Sequence, residues 1–206
     1  MNSILPAMCE LYKSKGLDPK KIVGVTSLDV VRANKFVAEA VDCDPAEVEV
    51  PVIGGHAGTA LLPVISKSHA KAKDLSEDQV KAVEAHLQEA SAEIVSAKDG
   101  KGSATLSMAY AGARLAKAIL AGLAGKKTTE CAYVMCPEQL DGTSVAYFTT
   151  KVTFGKGGVE KVHSIKELGL NAYETKRLAE AENALKADID AGLAYAKNVS
   201  SKTNSN

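Results

Sequence analysis

A β-rich run from Val48 to Ile53 leads straight into Gly54-Gly55-His56-Ala57-Gly58, and no other stretch constrains the chain as much. Three glycines in that pentapeptide allow the backbone to pass close to a ligand or to another chain segment, where a side chain would collide. A histidine is held in the middle of the loop. Position alone leaves two roles open for His56: hydrogen bonding to the turn backbone, or proton transfer.

Apolar spacing around this junction alternates between helical and extended. Ile4, Leu5, Met8, Leu11 and Tyr12 predict a helix from Asn2 to Lys15, ended by Gly16 and Pro19. Lys21–Val25 reads as a short strand, and a helix follows from Leu28 to about Val41. Ser76 and Gln79 form a capping-box pattern that opens another helix, with Val80, Val83, Leu87 and Ile94 on one face. Gly100 and Gly102 interrupt the chain before an Ala- and Gly-rich helix from about Ala104 to Leu123, in which Leu115, Ile119 and Leu123 repeat every fourth position. Glu130–Cys136, Val145–Phe154 and Val159–His163 read as strands, the last two joined by a turn at Gly155, Gly157 and Gly158. The final helix runs from about Ala172 to Asn198, with Leu178, Leu185, Ile189 and Leu193 inward, before a polar tail, SSKTNSN. Without regular strand–helix alternation this is an α+β pattern rather than a doubly wound one. No repeat or low-complexity linker divides it, so one domain over 1–198 with a tail at 199–206 is expected.

Composition removes several classes of function. Lys plus Arg and Asp plus Glu balance at 25 each, so no global field recruits nucleic acid or an anionic membrane, although a local cationic site for a small anion remains open. Aromatic residues make up only 4%, which disfavours a stacking surface for bases. No apolar stretch is long enough to span a bilayer. Cys9, Cys43, Cys131 and Cys136 are scattered, and neither they nor the histidines show metal-ligand spacing; reduced thiols and no metal are expected. Solvent-facing positions account for His69, His86 and His163.

A second constellation is Asp29-Val30-Val31-Arg32. Residues three apart share a helix face, so an intrahelical ion pair of little energetic worth is one reading. The other divides the labour: Arg32 holds a substrate carboxylate through two parallel hydrogen bonds, and Asp29 accepts a hydrogen bond from His56, fixing its tautomer.

Three segments in order, GVTSLDVVRANKFVAE (Gly24 to Glu39), EVEVPVIGGHAGT (Glu47 to Thr59) and GSATLSMAYAGAR (Gly102 to Arg114), resemble the malate dehydrogenase family, in particular its mitochondrial and related bacterial branch. ECAYV (Glu130 to Val134) and the terminal helix also fit, so the resemblance covers all but the polar tail and the loop around His69. It implies the fold of a lactate/malate dehydrogenase C-terminal domain, antiparallel strands packed against long helices. It further implies reversible NAD-linked oxidation of L-malate to oxaloacetate, with His56 as proton acceptor, Asp29 as its acidic partner and Arg32 on a substrate carboxylate. Met108 matches a residue that touches the nicotinamide end of NAD, while its residue type fits an apolar core position equally well.

The chain departs from the family in lacking a G-x-G-x-x-G turn that opens a helix; Gly155-Lys156-Gly157-Gly158 joins two strands instead. The mobile loop carrying further substrate-binding arginines is not found either, and Asn2 matches a later asparagine than the cofactor-contacting one. The expectation is therefore a catalytic half without its nucleotide-binding half, binding NAD poorly alone. The alternative is a non-catalytic folded fragment. The resemblance implies homodimerisation and a mitochondrial location, with a cytoplasmic one as the alternative, and apolar surface left without its usual neighbour predicts a tendency to associate.

Overall fold

The structure, a computed structural model, describes residues 1–137 and 140–203, with side chains as far as residue 200. Its elements run α1 (Ile4–Ser14), β1 (Gly24–Val25), α2 (Ser27–Val41), β2 (Val52–Gly54), β3 (Leu61–Pro63), α3 (Glu77–Ala97), α4 (Leu106–Leu123), β4 (Thr128–Met135), β5 (Tyr147–Gly155), β6 (Gly158–Val162) and α5 (Ala172–Thr203), with short 3-10 turns between several of them. The six strands form one sheet in the order β1-β4-β5-β2-β3, with β6 also paired to β5. Every pairing is antiparallel, the central one running in register from Thr128↔Phe154 to Met135↔Tyr147.

The sheet is covered on both faces. Period-2 alternation along β4 sends Tyr133 into a core shared with Leu5 of α1 and Leu185 and Ile189 of α5, while Ala132 and Val134 pack with Leu115 and Ala118 of α4. Two-sided burial explains why β4 reads as a continuous apolar run rather than an alternating one. A third core joins α2 and α3 to β2 and β3, through Val37, Val41, Val50, Val52, Leu61 and Leu87.

The capping box forms as the pattern predicts: Gln79 N–H donates to Ser76 Oγ at 3.3 Å and Ser76 N–H to Gln79 Oε1 at 2.9 Å. The hairpin between β5 and β6 closes at Gly155↔Gly158. The strand expected over Lys21–Val25 is reduced to Gly24–Val25, because Pro19–Lys21 forms a 3-10 turn that Asp18 caps. Leu61–Pro63, which no strand expectation covered, pairs with β2. The helix expected to end at Asn198 continues to Thr203, and residues 204–206 lie outside the described residues.

On α4 the repeat does not stay on one face. Steps of four residues rotate by roughly 40° each in a helix of 3.6 residues per turn, so Leu115 is buried while Leu123 is half exposed. Leu106, Tyr110 and Leu120 also lie exposed on α4, and Ile4 and Tyr195 are exposed on α1 and α5. No helix among the described residues is long and apolar enough to cross a membrane.

Candidate active site

The glycines of the opening motif are used for close packing within the chain. Gly54 ends β2 at φ +91°, and a Cβ there would sit 2.1 Å from the Ala60 carbonyl oxygen. Gly55 donates its N–H to that same oxygen at 2.6 Å, and a Cβ on it would press on Ala60 and Leu185. The loop is thereby folded back on itself, with His56 at its outer edge.

Four hydrogen bonds hold the loop and its anchor Asn2 in place. His56 N–H donates to Asn2 Oδ1 at 3.0 Å, and Asn2 Nδ2 donates on to Asp188 Oδ2 of α5 at 3.0 Å. The buried Tyr133 hydroxyl donates to the Asn2 carbonyl at 3.2 Å. Arg177 of α5 donates to the Thr59 carbonyl at 3.2 Å on the far side of the loop.

The facing group comes from α2. Thr26 is fully buried and anchors the start of the helix by donating from Oγ1 to the Cys131 carbonyl of β4 at 3.1 Å. Asp29 follows in the first turn, where the helix dipole favours an anion. Its Oδ2 lies 2.6 Å from His56 Nδ1. An ionised carboxylate only accepts, so when Asp29 is charged Nδ1 carries the proton and Nε2 is the basic nitrogen. The Asp29 side chain is 3% exposed and that of His56 32%. Burial raises the Asp29 pKa; the hydrogen bond from His56 and the charges of His56 and Arg32 oppose the rise without cancelling it.

Arg32 sits one turn further on and donates from Nη1 to Ser91 Oγ of α3 at 2.8 Å. Among the described residues it forms no ion pair with Asp29, so the simple intrahelical pairing is not the arrangement adopted. Met108 lies half-buried in the first turn of α4, which packs against α2, and is not among the partners of His56, Asp29 or Arg32. Of the four candidates the fold brings His56 and Asp29 into contact, sets Arg32 on the same helix as Asp29, and leaves Met108 on a neighbouring helix.

The remaining histidines have structural partners. His86 is exposed and stacks on Phe36 at 3.9 Å. His69 and His163 are half-buried rather than solvent-facing: His69 accepts from Lys71 N–H, and His163 bonds Thr153 and Glu167. All four cysteines are free thiols.

Sequence reasoning missed the frame around the pair: Asn2, Asp188, Arg177 and Ser91. Asn2, expected to start the first helix, lies just before it, and its bond to the His56 loop has no signal in the sequence. Arg177 and Asp188 read as ordinary polar positions of an amphipathic helix.

An antiparallel sheet buried on both faces, with a glycine-loop histidine against a helix-borne carboxylate, defines an α+β domain that carries a histidine–carboxylate pair. The family model for the lactate/malate dehydrogenase alpha/beta C-terminal domain matches residues 26–196, and the chain belongs to that family as its C-terminal domain. It is 46% identical over 201 residues to the mitochondrial malate dehydrogenase of Felis catus and 45% identical over 199 residues to that of Homo sapiens. Those matches cover 97% and 96% of this chain but 57% of each relative, so the chain spans little more than half their length. Among solved structures, the malate dehydrogenase of Salinibacter ruber superposes with a TM-score of 0.74 at 22% identity, over 92% of this chain and 60% of that one. The malate dehydrogenase of Picrophilus torridus gives 0.73 at 22% identity, over 93% and 58%. Both show the same fold.

Proposed function

We propose that this chain provides the substrate side of an NAD-linked malate dehydrogenase, in which His56 Nε2 takes the hydroxyl proton of L-malate. The observation that carries this reading is the 2.6 Å contact between His56 Nδ1 and the buried carboxylate of Asp29. It fixes the tautomer with Nε2 unprotonated, and it places a negative charge beside the imidazolium that forms when Nε2 accepts a proton. A low-dielectric setting strengthens that attraction. In the reverse direction Nε2 returns the proton to the alkoxide developing on oxaloacetate.

Arg32 is assigned to a carboxylate of the substrate. Among the described residues its guanidinium donates one hydrogen bond, to the neutral Ser91 hydroxyl, so donors remain for a bidentate pair. Hydride acceptance from C2 is the chemistry that NAD supplies when bound. The residues present suit only the nicotinamide end of that cofactor, where the half-buried Met108 offers an apolar contact. Gly155–Gly158 does not suit a pyrophosphate, because it is the turn of a β-hairpin rather than the opening of a helix.

Exposed Leu106, Tyr110, Leu120 and Leu123 on one helix support self-association, with homodimers as the expected species and a mitochondrial setting taken from the relatives. The same surface also favours the competing reading, a folded piece without catalysis of its own. Oxaloacetate-dependent NADH oxidation by the chain as it stands, compared with His56→Asn, separates the two. A general base contributes roughly 10²–10⁴-fold, so a loss in that range is expected. Turnover unchanged in His56→Asn overturns the assignment, and absence of both turnover and NADH binding favours the folded piece.

A further inference from the structure

The fold gathers three ligand-type side chains at the far end of α2, away from the His56–Asp29 pair. Cys43 follows the left-handed Asp42 that caps α2, Glu47 ends the 3-10 turn Pro45–Glu47, and His69 caps the 3-10 turn Ala70–Asp74. A thiol, a carboxylate and an imidazole atom from these residues all lie within 4.8 Å of one another. Donors around a tetrahedral zinc ion stand roughly 3.3–3.8 Å apart, given bond lengths of about 2.0–2.3 Å. Closing this set onto one ion therefore needs side-chain adjustments on the order of 1 Å. The wide sequence separation of Cys43 and His69 hides the cluster from any spacing pattern.

We infer that Cys43, Glu47 and His69 form a three-ligand site for a borderline-soft divalent cation, zinc in the first instance. The donor set selects the metal. Thiolate and imidazole favour zinc over magnesium or calcium, which take oxygen ligands. A thiolate and a carboxylate together match the two positive charges of the ion. Three protein ligands leave a fourth position for water or an external donor.

The backbones carrying the ligands are already tied together. Cys43 N–H donates to the Ala38 carbonyl at 3.1 Å, and Ala46 N–H to Asp44 Oδ1 at 2.8 Å, which fixes the turn bearing Glu47. Glu49 N–H donates to the Ser68 carbonyl at 3.1 Å, joining the segment after Glu47 to the residue before His69. Lys71 donates from Nζ to the Asp42 carbonyl at 3.0 Å and the Val41 carbonyl at 3.3 Å, binding the His69 turn to the end of α2. Its charge opposes a cation, and it is committed to those carbonyls. His69 Nδ1 accepts from Lys71 N–H at a long 3.2 Å; ligation through Nδ1 gives up that contact, and ligation through Nε2 moves its proton to Nδ1. Binding deprotonates the Cys43 thiol and releases its proton to solvent, so affinity falls in acid.

Cobalt(II) titration of the whole chain tests the site, because a cysteine ligand produces a thiolate-to-cobalt charge-transfer band. One equivalent saturating that band, displaced by zinc and erased by a chelator, is expected. Cys43→Ser is expected to abolish the band, and His69→Gln to weaken binding at least tenfold. Zinc is expected to raise the Tm of the wild-type chain and to leave that of Cys43→Ser unmoved. Cys9, Cys131 and Cys136 are buried and remain as internal controls. No band with the wild-type chain, or a band that survives Cys43→Ser, overturns the proposal. Should Cys43→Ser fail to fold, an undiminished affinity in His69→Gln overturns it equally.

Discussion

Two buried carboxylates stand on adjoining helices, Asp29 on α2 and Glu84 on α3, and the chain surrounds them in opposite ways. Glu84 accepts from Arg177 Nε at 2.7 Å, from Gln88 Nε2 at 3.1 Å and from the Tyr173 hydroxyl at 2.8 Å, and pairs with Arg177 Nη2 at 2.6 Å. Burial alone works against the Arg177 cation, but the hydrogen bonds and charges of Glu84 and Glu180 outweigh it and raise its pKa. Asp29 has the His56 imidazole as its hydrogen-bond partner, and that partner reaches the surface. The cluster of fixed donors around Glu84 ties α3, α5 and the Thr59 carbonyl together. A charge opposed by one half-exposed imidazole is left able to respond when a proton moves. The contrast separates an ion pair closed off by fixed donors from a carboxylate whose partner faces solvent.

The largest effect should come from opening the closed cluster. Arg177→Met leaves Glu84 buried with no cationic partner, and breaking a buried pair in this way costs about 3–5 kcal/mol. Urea unfolding measures it, as a lower midpoint with unchanged slope. The double variant Arg177→Met/Glu84→Met should recover most of the loss, since replacing both partners of a buried pair is often close to neutral. A single variant as stable as wild type would make Glu84 no different from Asp29 and dissolve the contrast.

A smaller loss is expected when the frame around His56 is cut. Asn2→Ala removes the acceptor for His56 N–H and the donor to Asp188, and an unsatisfied buried group of this kind costs about 1–3 kcal/mol. Faster amide exchange at His56, with the bulk of the sheet unaffected, is the specific signature. Exchange at His56 unchanged from wild type would mean that the glycine turn alone fixes the loop.

Much of this organisation was legible in the sequence, and the part that was not has a physical reason. The helices announced themselves through caps and apolar spacing, as Ser76 and Gln79 show, because those signals are local. The strand Leu61–Pro63 was hidden by its length and by the proline at its end. His56, Asp29 and Arg32 were marked as candidates by residue type, spacing and resemblance. The contact between the first two depends on how β2 and α2 pack and could be seen only in three dimensions. Asn2, Glu84 and Arg177 were missed for the same cause. Each acts through a partner distant in sequence, and a buried polar residue looks like an exposed one until the partner is known.

The finest test of the contrast is Asp29→Asn, which keeps an acceptor for His56 Nδ1 and removes the charge. Because burial raises the Asp29 pKa in the folded chain, the folded state binds this proton more tightly than the unfolded state does. The stabilising contribution of that linkage is fully present below the ordinary carboxylate pKa and is lost as pH rises through the raised folded value. Where the pH lies above that raised value, the wild-type chain carries a buried charge that the variant lacks. The variant is expected to melt a few degrees higher there, where 1 kcal/mol corresponds to roughly 2–4 °C for a chain of this size. The gain should shrink as pH falls through the folded pKa and vanish below the unfolded one, while Arg177→Met stays destabilised at neutral pH. Thermal melts of wild type and Asp29→Asn across that range decide the matter. A variant less stable than wild type at neutral pH would show that the His56–Asp29 pair holds the fold together as Glu84 and Arg177 do.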